Sequence, residues 1–110
     1  MRYQVKKESG FAVVYLTGDV DLSCSPDARK VILDSLGAGF PTLIDLAAVG
    51  YIDSSGVASL VEGYQTAKKK HLEFGLVGVS EAALSVLELA RLNKVFPIHA
   101  SLQARLAKDV

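Results

Sequence analysis

The chain has 110 residues, of which 50% are hydrophobic and 22% charged; this suits one globular domain spanning 1–110, with a core that needs no staples. Twelve Lys and Arg balance twelve Asp and Glu, so net charge offers no broad footprint for nucleic acid or a membrane. The lone Cys24 excludes an internal disulfide and fits a reducing compartment, and no Cys/His spacing suits zinc.

Met1 to Lys7 turns charged where a signal peptide would need its apolar stretch. The densest apolar run, Phe11 to Leu16, is too short to span a bilayer. A soluble, cytoplasmic protein without membrane insertion is expected. Tyr3 and Val5 alternate with polar residues as in a half-buried edge strand, Ser9-Gly10 supplies a turn, and Phe11 to Thr17 reads as the second arm of an antiparallel hairpin. Asp19 to Ser25 follows as a polar loop. Ser25-Pro26-Asp27 has the form of a helix start, with a serine N-cap and proline in the first position. Ala28, Val31, Ile32 and Leu36 share one face of that helix, and Gly37, Gly39 and Pro41 end it.

Thr42 to Leu46 reads as a buried strand in which Asp45 is anomalous. A second helix is expected from about Ser55 to Lys70, with Val57, Leu60, Val61 and Tyr64 as its apolar stripe. The run Lys68-Lys69-Lys70 then falls where cations complement the helix dipole. Phe74 to Val79 is a further strand, and Ser80-Glu81 opens a third helix with Ala83, Val86, Leu87 and Ala90 inward. Val95 to Ile98 reads as a short strand, and Ser101 to Lys108 as a closing helix with Leu102 and Leu106 inward. Strands and helices alternate after the hairpin, which implies an α/β fold with a largely parallel sheet.

The segment with chemical interest is Val49-Gly50-Tyr51-Ile52-Asp53-Ser54-Ser55-Gly56. It lies between a strand's carboxyl end and a helix start, where open α/β sheets present their sites. Free N–H groups and the helix dipole favour negative charge there. A phosphate on Ser54 would gain about 0.3–1 kcal/mol from the dipole and be repelled by Asp53, with Asp19 and Asp21 as further neighbours. The two effects offset, so phosphorylation is expected to leave the fold unchanged and to act on a partner. Ser54 also reads simply as an N-cap, although no Glu or Gln completes a capping box. Gly56 weakens a first turn by about 1 kcal/mol relative to alanine, a choice that suits a flat docking surface.

Leu16-Thr17-Gly18-Asp19-Val20-Asp21, then Leu43-Ile44-Asp45-Leu46, then Tyr51-Ile52-Asp53-Ser54-Ser55-Gly56 together resemble the STAS domain of bacterial anti-sigma factor antagonists, over nearly the whole chain. The resemblance implies the STAS fold, a mixed and mostly parallel sheet of about five strands with an N-terminal antiparallel hairpin and about four helices. It implies that Ser54 is phosphorylated by an anti-sigma factor serine kinase and reset by a PP2C-type serine phosphatase. The unphosphorylated form would bind the anti-sigma factor, which then releases its sigma factor and so regulates transcription. Asp19, Asp21, Asp53, Ser55 and Gly56 would surround the docking surface, and the chain would be a substrate and partner, not an enzyme. After Gly56 the family often has Leu-Gly where this chain has Val57-Ala58, and Ala90 to Lys94 looks closer to STAS subunits of ABC-type phospholipid transporters. Binding to such a transporter's ATPase is therefore the alternative.

Other chemistry has little support. His71 and His99 could in principle serve a nucleophilic serine, but the G-x-S-x-G elbow is absent; His71 is expected to end a helix and His99 to sit in a surface loop. Gly37-Ala38-Gly39 precedes a strand and lacks the third glycine of a dinucleotide fingerprint. No cofactor or metal is implied.

Overall fold

A computed structural model describes residues 3–107. Strand β1 (Gln4–Glu8) pairs antiparallel with β2 (Phe11–Val20). The connecting Ser9 and Gly10 both take positive φ, 52° and 87°, the conformation whose twist matches the flanking strands. Beyond the hairpin come α1 (Ser25–Gly37), β3 (Thr42–Ile52), α2 (Ser54–Lys70), β4 (Phe74–Val77), α3 (Glu81–Leu89), β5 (Ile98–His99) and α4 (Leu102–Ala107). The sheet order is β1-β2-β3-β4-β5, with every pair after the first parallel. Parallel crossovers are right-handed, and here each steps in the same direction, so α1, α2 and α3 all cover one face.

That face holds the main core, in which Leu16, Val20, Ile44, Leu46 and Ile52 of the sheet meet Ile32 and Leu36 of α1, Leu60 of α2 and Leu87 of α3. The opposite face carries a smaller cluster of Val13, Leu43 and Val77 under Leu102 of α4. Arg105 fastens α4 there through a forked pair with Glu73, and its guanidinium lies 4.9 Å from the centre of the Phe11 ring.

Several elements differ from the sequence reading. Strands β2 and β3 run on to Val20 and Ile52, past the expected ends at Thr17 and Leu46, because register shifts after Tyr15 and Gly18 interrupt the alternation without ending the pairing. Asp45 belongs to the first irregularity, where its carboxylate accepts the Ala47 N–H at 2.9 Å. Helix α1 starts one residue earlier than expected. Its N-cap is Cys24 rather than Ser25, because the Asp21 carbonyl already accepts the N–H groups of Cys24 and Ser25, at 3.0 and 2.7 Å.

Strand β4 stops at Val77, since Gly78 turns the chain with φ 58°. The expected strand at Val95 to Ile98 is only Ile98–His99, because Val95 and Phe96 N–H groups turn back to the Leu92 carbonyl. His99 is therefore in a strand, half-buried over Gly75, and not in a surface loop. Ala90, expected inward, is exposed beyond the last turn of α3. The closing helix is described over Leu102–Ala107, and Lys108 lies outside the described residues. His71 does end α2, with φ 57° at its C-cap, directly after Lys68, Lys69 and Lys70 in the last turn. Among the described residues no helix is long and apolar enough to cross a membrane.

Candidate functional site

Helix α2 begins where β2 and β3 end side by side, Val20 in register with Ile52. Asp53 is the N-cap, with extended backbone at φ −107° and ψ −173°. Its Oδ1 accepts the N–H groups of Ser55 and Gly56 at 2.9 and 3.1 Å and the Ser55 hydroxyl at 2.6 Å. Its Oδ2 accepts the Leu22 N–H at 3.1 Å, which ties the loop between β2 and α1 to the start of α2. These bonds, the Ser55 hydroxyl foremost, hold the Asp53 carboxyl below its ordinary value.

The capping role that sequence offered to Ser54 thus belongs to the residue before it, and Ser54 is exposed in the first position of the helix. Ser55 turns instead to Asp53. A shallow groove leads from Ser54 along α2 past Ala58, Val61 and Gln65 to Lys69. Across it Glu62 is clamped by Arg29 of α1 through two bonds of 2.7 Å.

Gly56, expected to flatten the surface, is itself buried. A methyl group on it would lie 2.6 Å from the Val20 carbonyl oxygen and 2.6 Å from Ile52 Cγ1. Glycine is there because the helix start presses onto the strand ends.

Asp21 organises the neighbouring loop. Its Oδ1 accepts the Ser23 hydroxyl at 2.7 Å and the N–H groups of Ser23 and Cys24 at 3.0 and 3.3 Å. The Ser23 hydroxyl is the main cause of its lowered pKa. Asp19 takes part in none of these bonds; it is exposed, in register with Tyr51, and borders a hollow with Thr17, Asp21 and Cys24. The structure therefore bonds Asp53 to Ser55 beside Ser54 and, through the Leu22 N–H, to the loop that Asp21 organises, leaving Asp19 at the margin and Gly56 beneath.

Two features escaped sequence reading. Leu22 is 74% exposed while its N–H is held by Asp53, so the loop displays an apolar side chain at the site. Ser59, buried, donates its hydroxyl to the carbonyls of Ser25 and Ser55 at 3.3 and 3.2 Å, joining the starts of α1 and α2. Only its position one helical turn after Ser55 could have signalled that role. His71 sits at the far end of α2 and His99 on β5, so neither histidine belongs to the Ser54 end of the helix.

Residues 2–104 match the STAS domain family. The chain belongs to that family. An anti-sigma-B factor antagonist of Bacillus subtilis strain 168 is 25% identical over 96 residues, covering 87% of this chain and 88% of that protein. Among solved structures, an anti-sigma factor antagonist from Mycobacterium paratuberculosis is 28% identical, with a TM-score of 0.86 over 96% of this chain and 90% of that one. The anti-sigma factor antagonist SpoIIAA in its unphosphorylated form is 18% identical, with a TM-score of 0.81 over 98% of both chains; a structure of the phosphorylated form, described as a Bacillus cell fate determinant, is 16% identical, with a TM-score of 0.75 over 96% and 97%. The five-stranded sheet with its opening antiparallel pair and four helices is the STAS fold.

Proposed function

We propose that this STAS protein is an anti-sigma factor antagonist switched by phosphorylation of Ser54. Unphosphorylated, it binds an anti-sigma factor that is also its serine kinase, and a PP2C-type phosphatase restores that form. The protein acts as substrate and partner, not as an enzyme. The observation that carries this reading is the free hydroxyl of Ser54 on a helix start whose Ser55 and Gly56 N–H groups Asp53 already holds. A phosphate on Ser54 would add about 1.5–2 negative charges at neutral pH. It would find those two donors occupied and the Asp53 carboxylate beside it. The fold would stay as it is, and the new charge would face outward beside Leu22.

A partner seated over Leu22 and Ser54 would then have to bury a dianion without compensation, and each 1.4 kcal/mol of that cost is about tenfold in affinity. The anti-sigma factor antagonist relatives and the existence of SpoIIAA in two phosphorylation states support the reading. The test is a pull-down from the native cell with wild type, Ser54→Ala and Ser54→Asp, alongside their melting temperatures. Ser54→Asp is expected to lose the partner at least tenfold while melting within a few degrees of wild type. Equal capture of an anti-sigma factor by all three would end the switch reading, and capture of a transporter ATPase in its place would favour the accessory-subunit alternative.

A further inference from the structure

The balanced total charge conceals an uneven distribution. Most of the described cations are engaged: Arg29 with Glu62, Lys30 with Asp34, Arg105 with Glu73, Lys6 over the Tyr15 ring and Lys7 over the Phe40 ring. Lys68 lies over the Tyr64 ring at 5.5 Å. Lys69, Lys70, Arg91 and Lys94 make no ion pair or ring contact among the described residues.

Lys70 ends α2, and Arg91 and Lys94 follow the end of α3, while Lys69 borders the groove that leads to Ser54. The Tyr64 ring that carries Lys68 packs edge-on against Phe96, with centroids 5.6 Å apart, so the connection from α3 to β5, with Arg91 and Lys94, lies beside the last turns of α2. Leu89, 86% exposed, and Val95, 44% exposed, flank Arg91 and Lys94 in the same stretch of chain. Both helices end there through positive φ, at His71 and Arg91. The two helix ends offset part of the positive charge, each with about half a negative charge, and Glu88 offsets more, but an excess of cations remains.

We propose that this end of the molecule is a docking surface for an anionic lipid bilayer. It is built from two helix ends and a turn, and it offers the exposed Leu89 together with the cations of the two helix ends. That is the arrangement a headgroup layer accepts, with the apolar side chain below the headgroups and the cations among them. Each lysine or arginine held at an anionic surface strengthens binding about fivefold. Weak, reversible association results. Ser54 is at the other end of the 17-residue α2, about 25 Å away, and so remains open to a soluble partner.

The test is flotation of the purified full chain with vesicles of phosphatidylcholine containing one-third phosphatidylglycerol, against pure phosphatidylcholine, at low and high salt. Wild type is expected to float with the anionic vesicles only, and to be released by salt. Lys68→Gln combined with Lys70→Gln and Lys94→Gln should weaken binding at least tenfold, and Leu89→Gln about threefold. All these positions are exposed, and unchanged melting temperatures will show that the variants fold. Ser54→Asp should float as wild type does, which separates this surface from the switch. Failure of wild type to float, or full binding by either the lysine or the Leu89 variant, would overturn the proposal. Salt-sensitive self-association without vesicles, abolished by the same variants, would also overturn it and assign the surface to a second copy of the chain.

Discussion

Helices α2 and α3 both start at the carboxyl end of a sheet strand, and both have serine in the sequence at that start. They use it in opposite ways. At α3, Ser80 is itself the cap; its hydroxyl accepts the Ala83 N–H at 3.2 Å and donates to the Val49 carbonyl at 2.7 Å. At α2 the cap is Asp53, one residue before the serines, and Ser54 is left exposed. A serine that caps is spoken for, whereas a serine that follows a capping aspartate keeps its hydroxyl for other chemistry. The third position of each helix is buried as well, by a glycine in α2 and an alanine in α3. Helix α3 has room for a methyl group where α2 has none.

The comparison can be broken at four points. The largest effect is expected at Gly56→Ala, whose methyl meets the rigid Val20 carbonyl; overpacking of this kind costs about 1–3 kcal/mol, to be read as a lower urea midpoint. An unchanged midpoint would mean that α2 is not pressed onto the strand ends. Next are the caps. Ser80→Ala should cost about 1 kcal/mol, and Asp53→Ala should lower the melting temperature further, because Asp53 also holds Leu22 and the Ser55 hydroxyl.

The third point is pH. The folded-state pKa values of Asp53 and Asp21 lie below the ordinary carboxylate value of 3.8. Each therefore stabilises the fold fully above that value, and the stabilisation disappears as pH falls through the folded-state pKa. Urea midpoints should fall as pH drops below about 4, less steeply in Asp53→Asn than in wild type; parallel curves would show that the Asp53 bonds do not favour the ionised form. The smallest effect is expected for Ser54→Ala, within about 0.5 kcal/mol of wild type. A loss comparable to that of Ser80→Ala would show that Ser54 caps after all.

The order of elements was legible from turn residues and apolar spacing, and so was the placement of Asp53-Ser54-Ser55-Gly56 at a helix start. Which of three adjacent cap-forming residues caps was not, because Asp53, Ser54 and Ser55 all suit the position and only the folded geometry separates them. The full lengths of β2 and β3 were hidden by irregularities that shift the alternation at Tyr15 and Gly18. The burial of Gly56 depends on Val20, remote in sequence, and the display of Leu22 depends on Asp53, equally remote. Balanced composition also concealed which cations lack an ion pair among the described residues, Lys70, Arg91 and Lys94 included, since a sum carries no information about position.

The strands lie in the sheet in the order in which they occur in the chain. Each new strand therefore pairs with the one made just before it, and no early strand waits with an open edge for a distant partner. As the chain leaves the ribosome, the hairpin, then β3 against β2, then β4 against β3 can form in turn. Val13, Leu43 and Val77, with Phe11 and Tyr15 beside them, stay uncovered until α4 emerges and Leu102 closes over them. A chain truncated before residue 102 should therefore leave that apolar patch of the sheet open.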